Sequence, residues 1–183
     1  MTQSVIPTIW LPRRVKDEDT ATTWSDALLK SYYFERYVLD VCIATMERGG
    51  VTSKINTYQF FSSTEAWGVP RYPDRTVILY PGTDLPSAIA AFIHENRTSL
   101  RESDCWLGTW IDPDTGNCYL DITAIHWCLE EALREAIILS QSAQRKIVAL
   151  YDFKNEQPIY LSGIIELITS EAAQRARMDA QGD

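Results

Sequence analysis

Two stretches decide the fold of this chain: Cys105-Trp-Leu-Gly-Thr-Trp-Ile111 and Cys118-Tyr-Leu-Asp-Ile-Thr123. Between them lies Asp112-Pro-Asp-Thr-Gly-Asn117, whose composition is typical of a β-hairpin turn. Side chains alternate between the two faces of a strand. One face of the predicted hairpin is aliphatic, and we expect it to contact the core: Leu107, Thr109, Ile111, Cys118, Leu120 and Ile122.

The other face of the predicted hairpin is aromatic and polar. It carries Trp106, Gly108, Trp110, Tyr119, Asp121 and Thr123. If Ile111 pairs with Cys118, then Asp121 lies opposite Gly108, in a gap between the two indoles. Aromatic walls around a carboxylate suit a cationic side chain, a sugar or a nucleobase. All residues of this aromatic face except Thr123 are therefore candidate binding residues.

A long helix is predicted from Trp24 to Arg48, where Gly49-Gly50 ends it. Its apolar residues follow helical spacing: Trp24, Leu28, Val38, Leu39, Cys42 and Met46. Glu35 projects into that face and is a further candidate binding residue. It either pairs with an arginine, lines a cavity, or lies where the helix extends beyond its core. The helix needs a surface against which its apolar residues can be buried. The alternative interpretation of the aromatic face is therefore that the helix covers it and that it is not a binding site.

Further strands and helices are predicted around the hairpin. They are a strand over 76–80, a helix over about 85–97, a helix near 128–142, a strand over 146–152 and a return strand near 158–161. The order β-α-β-β-α-β over 76–152 predicts an α+β, ferredoxin-like fold. Its sheet is antiparallel or mixed, with both helices on one face and the long N-terminal helix packed on the sheet.

One domain is expected over residues 1–183. Its predicted parts are a helical and irregular portion over 1–75 (with a loop over 67–74), a sheet core over 76–161, and a C-terminal helix and tail over 162–183.

Part of the sheet core resembles a known group of proteins. The pattern Trp110-x-Asp112…Gly116-x-x-Tyr119-Leu-Asp121, followed by Ala132-x-x-x-Ala136 and Ala149-x-Tyr151-Asp152, is similar to small uncharacterised α/β proteins encoded by phages and prophages. The resemblance covers residues 106–152 only. It implies a phage or mobile-element origin, and it carries over no catalytic residue because that group has no assigned reaction.

No metal or cofactor is expected. Cys105, Cys118, His126 and Cys128 lack the close pairs of zinc sites. In the hairpin register Cys105 lies about 20 Å from Cys118, too far for a shared ion or a disulfide. The sequence also lacks the glycine-rich phosphate loops and the G-x-S-x-G nucleophile motif. The four cysteines are therefore interpreted as small buried apolar residues.

Composition limits the partners. The 183 residues include 17 basic and 25 acidic side chains, for a formal net charge of −8. This disfavours direct nucleic-acid binding, which needs clustered lysine and arginine. No apolar run reaches the ~18 residues of a membrane span, and the first residues do not resemble a signal peptide. We therefore expect a cytoplasmic protein with a protein partner, and homo-oligomerisation stays open.

These features favour a non-catalytic binding or inhibitor protein. Its acidic surface would attract a basic, nucleic-acid-handling partner, since complementary charge speeds and selects association. The missing nucleophile–base pair and cofactor motif argue against an enzyme. The alternative is a small hydrolase or transferase in which Asp121 and Glu35 act as acid and base.

Overall fold

The computed structural model describes residues 18–62 and 65–162, which contain three α-helices and eight β-strands. The helices are α1 (Glu18–Arg48), α2 (Leu85–Glu95) and α3 (Leu129–Ser142). The strands are β1 (Gly50–Lys54), β2 (Gln59–Phe60), β3 (Trp67–Pro70), β4 (Val77–Leu79), β5 (Cys105–Ile111), β6 (Cys118–His126), β7 (Ala149–Asp152) and β8 (Gln157–Tyr160). The C-terminal helix and tail predicted over 162–183 lie outside the described residues, apart from Ser162.

The eight strands form a single antiparallel sheet that curls into a half-barrel. Their order is β2-β1-β5-β6-β3-β7-β8, and β4 pairs with β6 beyond the end of β3. The predicted hairpin register is confirmed, because Ile111 pairs with Cys118 and Gly108 with Asp121. A turn containing Gly116 at φ 71° joins β5 to β6, a conformation that glycine adopts without steric cost.

The α+β class is confirmed, but the predicted ferredoxin-like fold is wrong. The region over 50–70, expected to be largely irregular, supplies β1, β2 and β3. Of these, β1 pairs with β5, and β3 lies between β6 and β7. Trp67–Pro70 looked like a loop because glycine and proline are disfavoured in strands. Gly68 packs closely there, since a Cβ atom would lie 3.2 Å from the ring of Phe153.

Contacts within the chain define two compact units, Met1–Arg36 and Tyr37–Asp183. In the first unit, side chains are described from Ser25, so Trp24 lies outside them. The predicted apolar residue Leu28 is exposed there, as are Leu29, Tyr32 and Tyr33. Burial of Leu28 is therefore not found.

In the second unit, residues 37–48 of α1 pack on the aliphatic face of the hairpin. The hydroxyl oxygens of Thr45 and Thr109 lie 2.6 Å apart, and Tyr37 and Ser53 share a hydrogen bond of 2.8 Å. All four side chains are buried. The expectation that the N-terminal helix covers the aromatic face is therefore wrong for this part of α1.

The buried face of α1 is rotated from the predicted one. Val38 and Cys42 are buried as expected, together with Val41 and Thr45, whereas Leu39 and Met46 are exposed. Positions 38, 41, 42 and 45 follow helical spacing as well as the predicted set does. Helical spacing alone therefore does not decide which of the two sets of residues is buried; contact with the sheet decides it.

The third helix packs on the same face of the sheet as this part of α1. Ala132 and Ala136 of α3 form a cluster with Val69 and Leu150, and Val69 pairs with Ala124 in the register of β3 and β6. The aliphatic hairpin residues are buried, with Leu107 and Leu120 at 0% exposure, except Ile111, which is half-buried. No helix among the described residues has both the length and the apolar character needed to cross a membrane.

Candidate functional site

The aromatic face of the hairpin lines the inside of the curled sheet, which we call the concave face. Trp110 lies opposite Tyr119 in the β5–β6 register, with the ring centres 5.2 Å apart. Gly108 lies opposite Asp121 on the same face. The predicted binding residues of the hairpin are therefore on one surface, and no helix of the second unit described above packs against it.

A central depression occupies the middle of the concave face. It encloses about 540 Å³, part of it open to solvent. Residues of β1, β3, β5, β6, β7 and β8 contribute to its walls. The residues that matter chemically are Gly68, Gly108, Trp110, Asp121, Thr123 and Tyr151.

Two glycines of the central depression lie close to Thr123. A Cβ atom on Gly108 would lie 2.2 Å from Oγ1 of Thr123, and one on Gly68 would lie 3.1 Å from Cγ2 of Thr123. A side chain at position 108 is therefore excluded unless Thr123 moves, whereas one at position 68 requires only small shifts of Thr123 and Phe153. Larger residues would bring their own atoms into the space that a ligand could occupy.

Asp121 is the ionisable group of the central depression. Its Oδ1 accepts a short hydrogen bond from the hydroxyl of Thr76. Among the hydrogen bonds and ion pairs of the described residues, none involves Oδ2. Burial raises the pKa of Asp121, while the Thr76 hydrogen bond and the nearby Arg145 guanidinium act in the opposite direction. The negative charge of this carboxylate is thus only partly compensated by the protein.

A basic depression adjoins the central one. It encloses about 390 Å³ and is lined by Thr76, Tyr119, Arg145 and Lys146, among others. The Arg145 guanidinium lies 5.5 Å from the centre of the Tyr119 ring, and it donates a hydrogen bond of 3.3 Å to the carbonyl of Thr76. Asp121 and Trp110 line both depressions, so one carboxylate faces both spaces.

An aromatic depression of about 470 Å³ adjoins the central one on the other side and is lined by Phe60, Phe61, Tyr151 and Phe153, among others. Phe61 contacts Phe153 at 4.6 Å and Trp106 at 5.3 Å between ring centres. The ammonium of Lys54 lies 4.7 Å from the centre of the Trp106 ring. Trp106 therefore packs at this aromatic end, while Trp110 lines the central depression.

The chain was compared with known proteins. No protein-family model, curated protein or solved structure matches it. What the concave face can bind therefore follows from its own residues.

Glu35 belongs to the other compact unit, Met1–Arg36. It is exposed on α1, where the hydroxyl of Ser31 donates a hydrogen bond of 3.2 Å to its carboxylate. The sequence predicts that Glu35 projects into a buried apolar face of the helix. Its exposed position does not fit that expectation.

The cysteines fall into two groups. Cys42, Cys105 and Cys118 are buried, as the sequence predicts, whereas Cys128 is exposed. Cys105 approaches the carboxylates of Glu102 and Asp104, with ligand atoms within 4.8 Å of one another. Burial raises the pKa of Cys105 to about 11, and neighbouring carboxylates add to that rise. A protonated thiol disfavours metal binding, so this cluster gives no reason to assign a metal site.

Sequence reasoning missed four residues of the concave face: Phe61, Arg145, Tyr151 and Phe153. Each of them lies outside the hairpin. They reach the site because β3 lies between β6 and β7 in the sheet and because the sheet curls. The only local signal was the aromatic character of Phe60-Phe61 and of Tyr151-Asp-Phe153. That signal is also typical of core strands.

Proposed function

We propose that this protein is a non-catalytic binding protein that captures a cationic side chain of a basic partner on its concave face. The observation that supports the proposal is the position of Asp121. This partly buried carboxylate lies beside Trp110 and Tyr119, and among the described residues no donor binds its Oδ2. Aromatic rings and a carboxylate together favour lysine and arginine side chains.

Charge favours a cation over the sugar or nucleobase that aromatic walls would also accept. Burial raises the pKa of Asp121, so the isolated protein stabilises the carboxylate less well than water does. A bound ammonium or guanidinium would supply the missing compensation. A neutral ligand would remove water from the carboxylate without replacing it by charge, which costs free energy.

The overall charge supports a basic partner. With a net charge of −8, the protein attracts positively charged surfaces and repels nucleic acids directly. Proteins that handle nucleic acids carry such basic surfaces. Together with the resemblance to phage-encoded proteins, this favours an inhibitor that occupies the basic surface of such a partner.

A second candidate is a small hydrolase or transferase that uses Asp121. The raised pKa of Asp121 supports it, because burial favours the protonated carboxyl, the form that a general acid needs. Glu35, the other group of that hypothesis, is an exposed residue of the separate unit Met1–Arg36. The two candidates differ in what Asp121→Asn should do: an enzyme keeps binding and loses turnover, whereas a binding protein loses binding.

The test compares wild type with Asp121→Asn and with Asp114→Asn as a matched control. Asp114 is exposed in the β5–β6 turn, so the control changes the same charge outside the groove. Immobilised proteins capture basic proteins from a host lysate, and each captured protein is then titrated in pure form. We expect at least a tenfold loss of affinity for Asp121→Asn alone, because a charge-assisted contact is lost. A tenfold change corresponds to about 1.4 kcal/mol of binding free energy. Equal affinities of all three proteins would contradict the proposal.

A further inference from the structure

The three depressions of the concave face form one groove. The central and basic depressions share Trp110 and Asp121, and the central and aromatic depressions share Thr52 and Tyr151. The groove therefore runs from Phe61 and Phe153 at one end to Arg145 and Lys146 at the other. A single lysine side chain would occupy only its middle, so the remaining space is available to residues on either side of that lysine.

The spacing from the central to the basic depression is that of alternate residues in a strand. Asp121 follows Tyr119 by two residues, and Arg145 lies over the Tyr119 ring. The aromatic depression lies further from Asp121, because Tyr151 pairs with Gly68, and Gly68 pairs with Ile125, four residues after Asp121 in β6. Two residues of a strand cover about 6.6 Å. Alternate side chains on one face of an extended peptide have the same separation.

The chemistry changes from one end of the groove to the other. Phe60, Phe61 and Phe153 line the aromatic depression together with Arg48 and Glu156, which carry opposite charges. Asp121 supplies negative charge at the centre. Arg145 and Lys146 supply positive charge in the basic depression, where Asp121 is the one acidic residue among the described residues that line it.

We infer that the concave face binds an extended peptide segment whose alternate side chains are basic and acidic, in the pattern Lys/Arg-x-Asp/Glu. This inference rests on the proposed function, because the lysine or arginine is the cation captured by Asp121. The acidic side chain of the peptide binds at Arg145 and Lys146. The partner thus presents a strand-like, mixed-charge segment rather than a uniformly basic surface.

The test uses two capped peptides, acetyl-Phe-Ser-Lys-Ser-Glu-amide and the same peptide with lysine in place of glutamate. Calorimetry with wild-type protein is expected to give about fivefold tighter binding of the glutamate peptide, as for a partly exposed ion pair. Net charge alone favours the lysine peptide, because the protein carries −8. A preference for the glutamate peptide therefore reports the basic depression and not the overall charge.

Lys146→Glu should reverse the preference, and Lys146→Gln should abolish it. The matched control is Lys30→Glu, which makes the same charge change at an exposed position of α1. Circular dichroism checks that each variant folds. The inference is overturned if wild type prefers the lysine peptide, if Lys146→Glu behaves like Lys30→Glu, or if neither peptide binds.

Asp121→Asn separates this inference from the proposed function. If both peptides bind wild type equally and both bind Asp121→Asn more weakly, the cation site stands and the acidic subsite is wrong. If both bind wild type and Asp121→Asn with the same affinity, the proposed function is itself wrong. If the glutamate preference and the loss with Asp121→Asn are both observed, both proposals are supported.

Discussion

Gly108 lies directly opposite Asp121 in the pairing of β5 with β6. Because Gly108 has no side chain, the Thr123 side chain extends over it, and Asp121 and Thr123 both line the central depression. Thr123 Oγ1 lies where a Cβ atom on Gly108 would meet it, at 2.2 Å. Packing at Gly108 therefore determines which side chain lies next to Asp121 on the concave face.

Gly108→Ala should lower the free energy of unfolding by about 1–3 kcal/mol, the usual cost of overpacking a tightly packed site. Thr123→Ala in the same protein should restore part of that loss, because the atom nearest to the new methyl group is removed. Urea denaturation of the two single variants and the double variant measures the coupling. Additive effects would show that these two positions do not contact each other as described.

Asp121→Asn should change the dependence of stability on pH. Burial raises the pKa of Asp121 in the folded protein above its ordinary value of 3.8. The folded state therefore holds a proton that the unfolded state has released, and stability falls as the pH rises from 3.8 through the folded-state pKa. The asparagine variant lacks this decline and retains an acceptor for Thr76.

Thermal unfolding of wild type, Asp121→Asn and Asp114→Asn across that range measures the difference. We expect Asp121→Asn to equal or exceed wild type in stability at neutral pH, with the advantage decreasing toward acidic pH. A variant less stable than wild type at neutral pH would show that the carboxylate stabilises the fold.

Binding of a lysine-containing peptide should strengthen as the pH rises through the pKa of Asp121. The raised pKa leaves part of the Asp121 population protonated at acidic pH, and a neutral carboxyl attracts an ammonium less strongly. Titrations with the glutamate peptide described above, followed by tryptophan fluorescence, measure the trend. The Asp121→Asn protein provides the control, since any pH dependence that remains there comes from other groups.

Thr45→Val and Thr109→Val should show a coupling energy of about 0.5–1.5 kcal/mol in a double-mutant cycle, because their hydroxyl oxygens lie 2.6 Å apart in a buried position. Thr57→Val, at an exposed position, controls for the substitution itself. The cycle tests the placement of residues 37–48 of α1 on the aliphatic face. If this part of α1 instead packed on the aromatic face, the coupling would be absent.

Local features of the sequence predicted the register of the hairpin, although β6 extends beyond the predicted Thr123 to His126. The Asp112–Asn117 turn and the two-residue alternation set the register of β5 and β6, because a shift of one residue would expose Leu107 and Leu120. The same alternation placed Trp110 and Asp121 on a shared face. The α+β class followed in the same way from the periodicity of the helices.

The ferredoxin-like arrangement failed because strand order is not a local property. β1, β2 and β3 are short, and β3 contains Gly68 and Pro70, so their propensities predict loops. They form strands because β5, β6 and β7 present unpaired backbone groups that must be satisfied. Those additional strands extend the sheet beyond four and let it curl.

The sequence by itself determined which hairpin residues share a face, since pleating and turn chemistry act over a few residues. Only the tertiary structure decided that residues 37–48 of α1 and helix α3 pack on the aliphatic face and that the aromatic face is concave. It also brought Arg145 and Tyr151 to Asp121 across strands distant in sequence. The physical reason is that curvature and strand order depend on the summed packing of the whole sheet, which no single segment encodes.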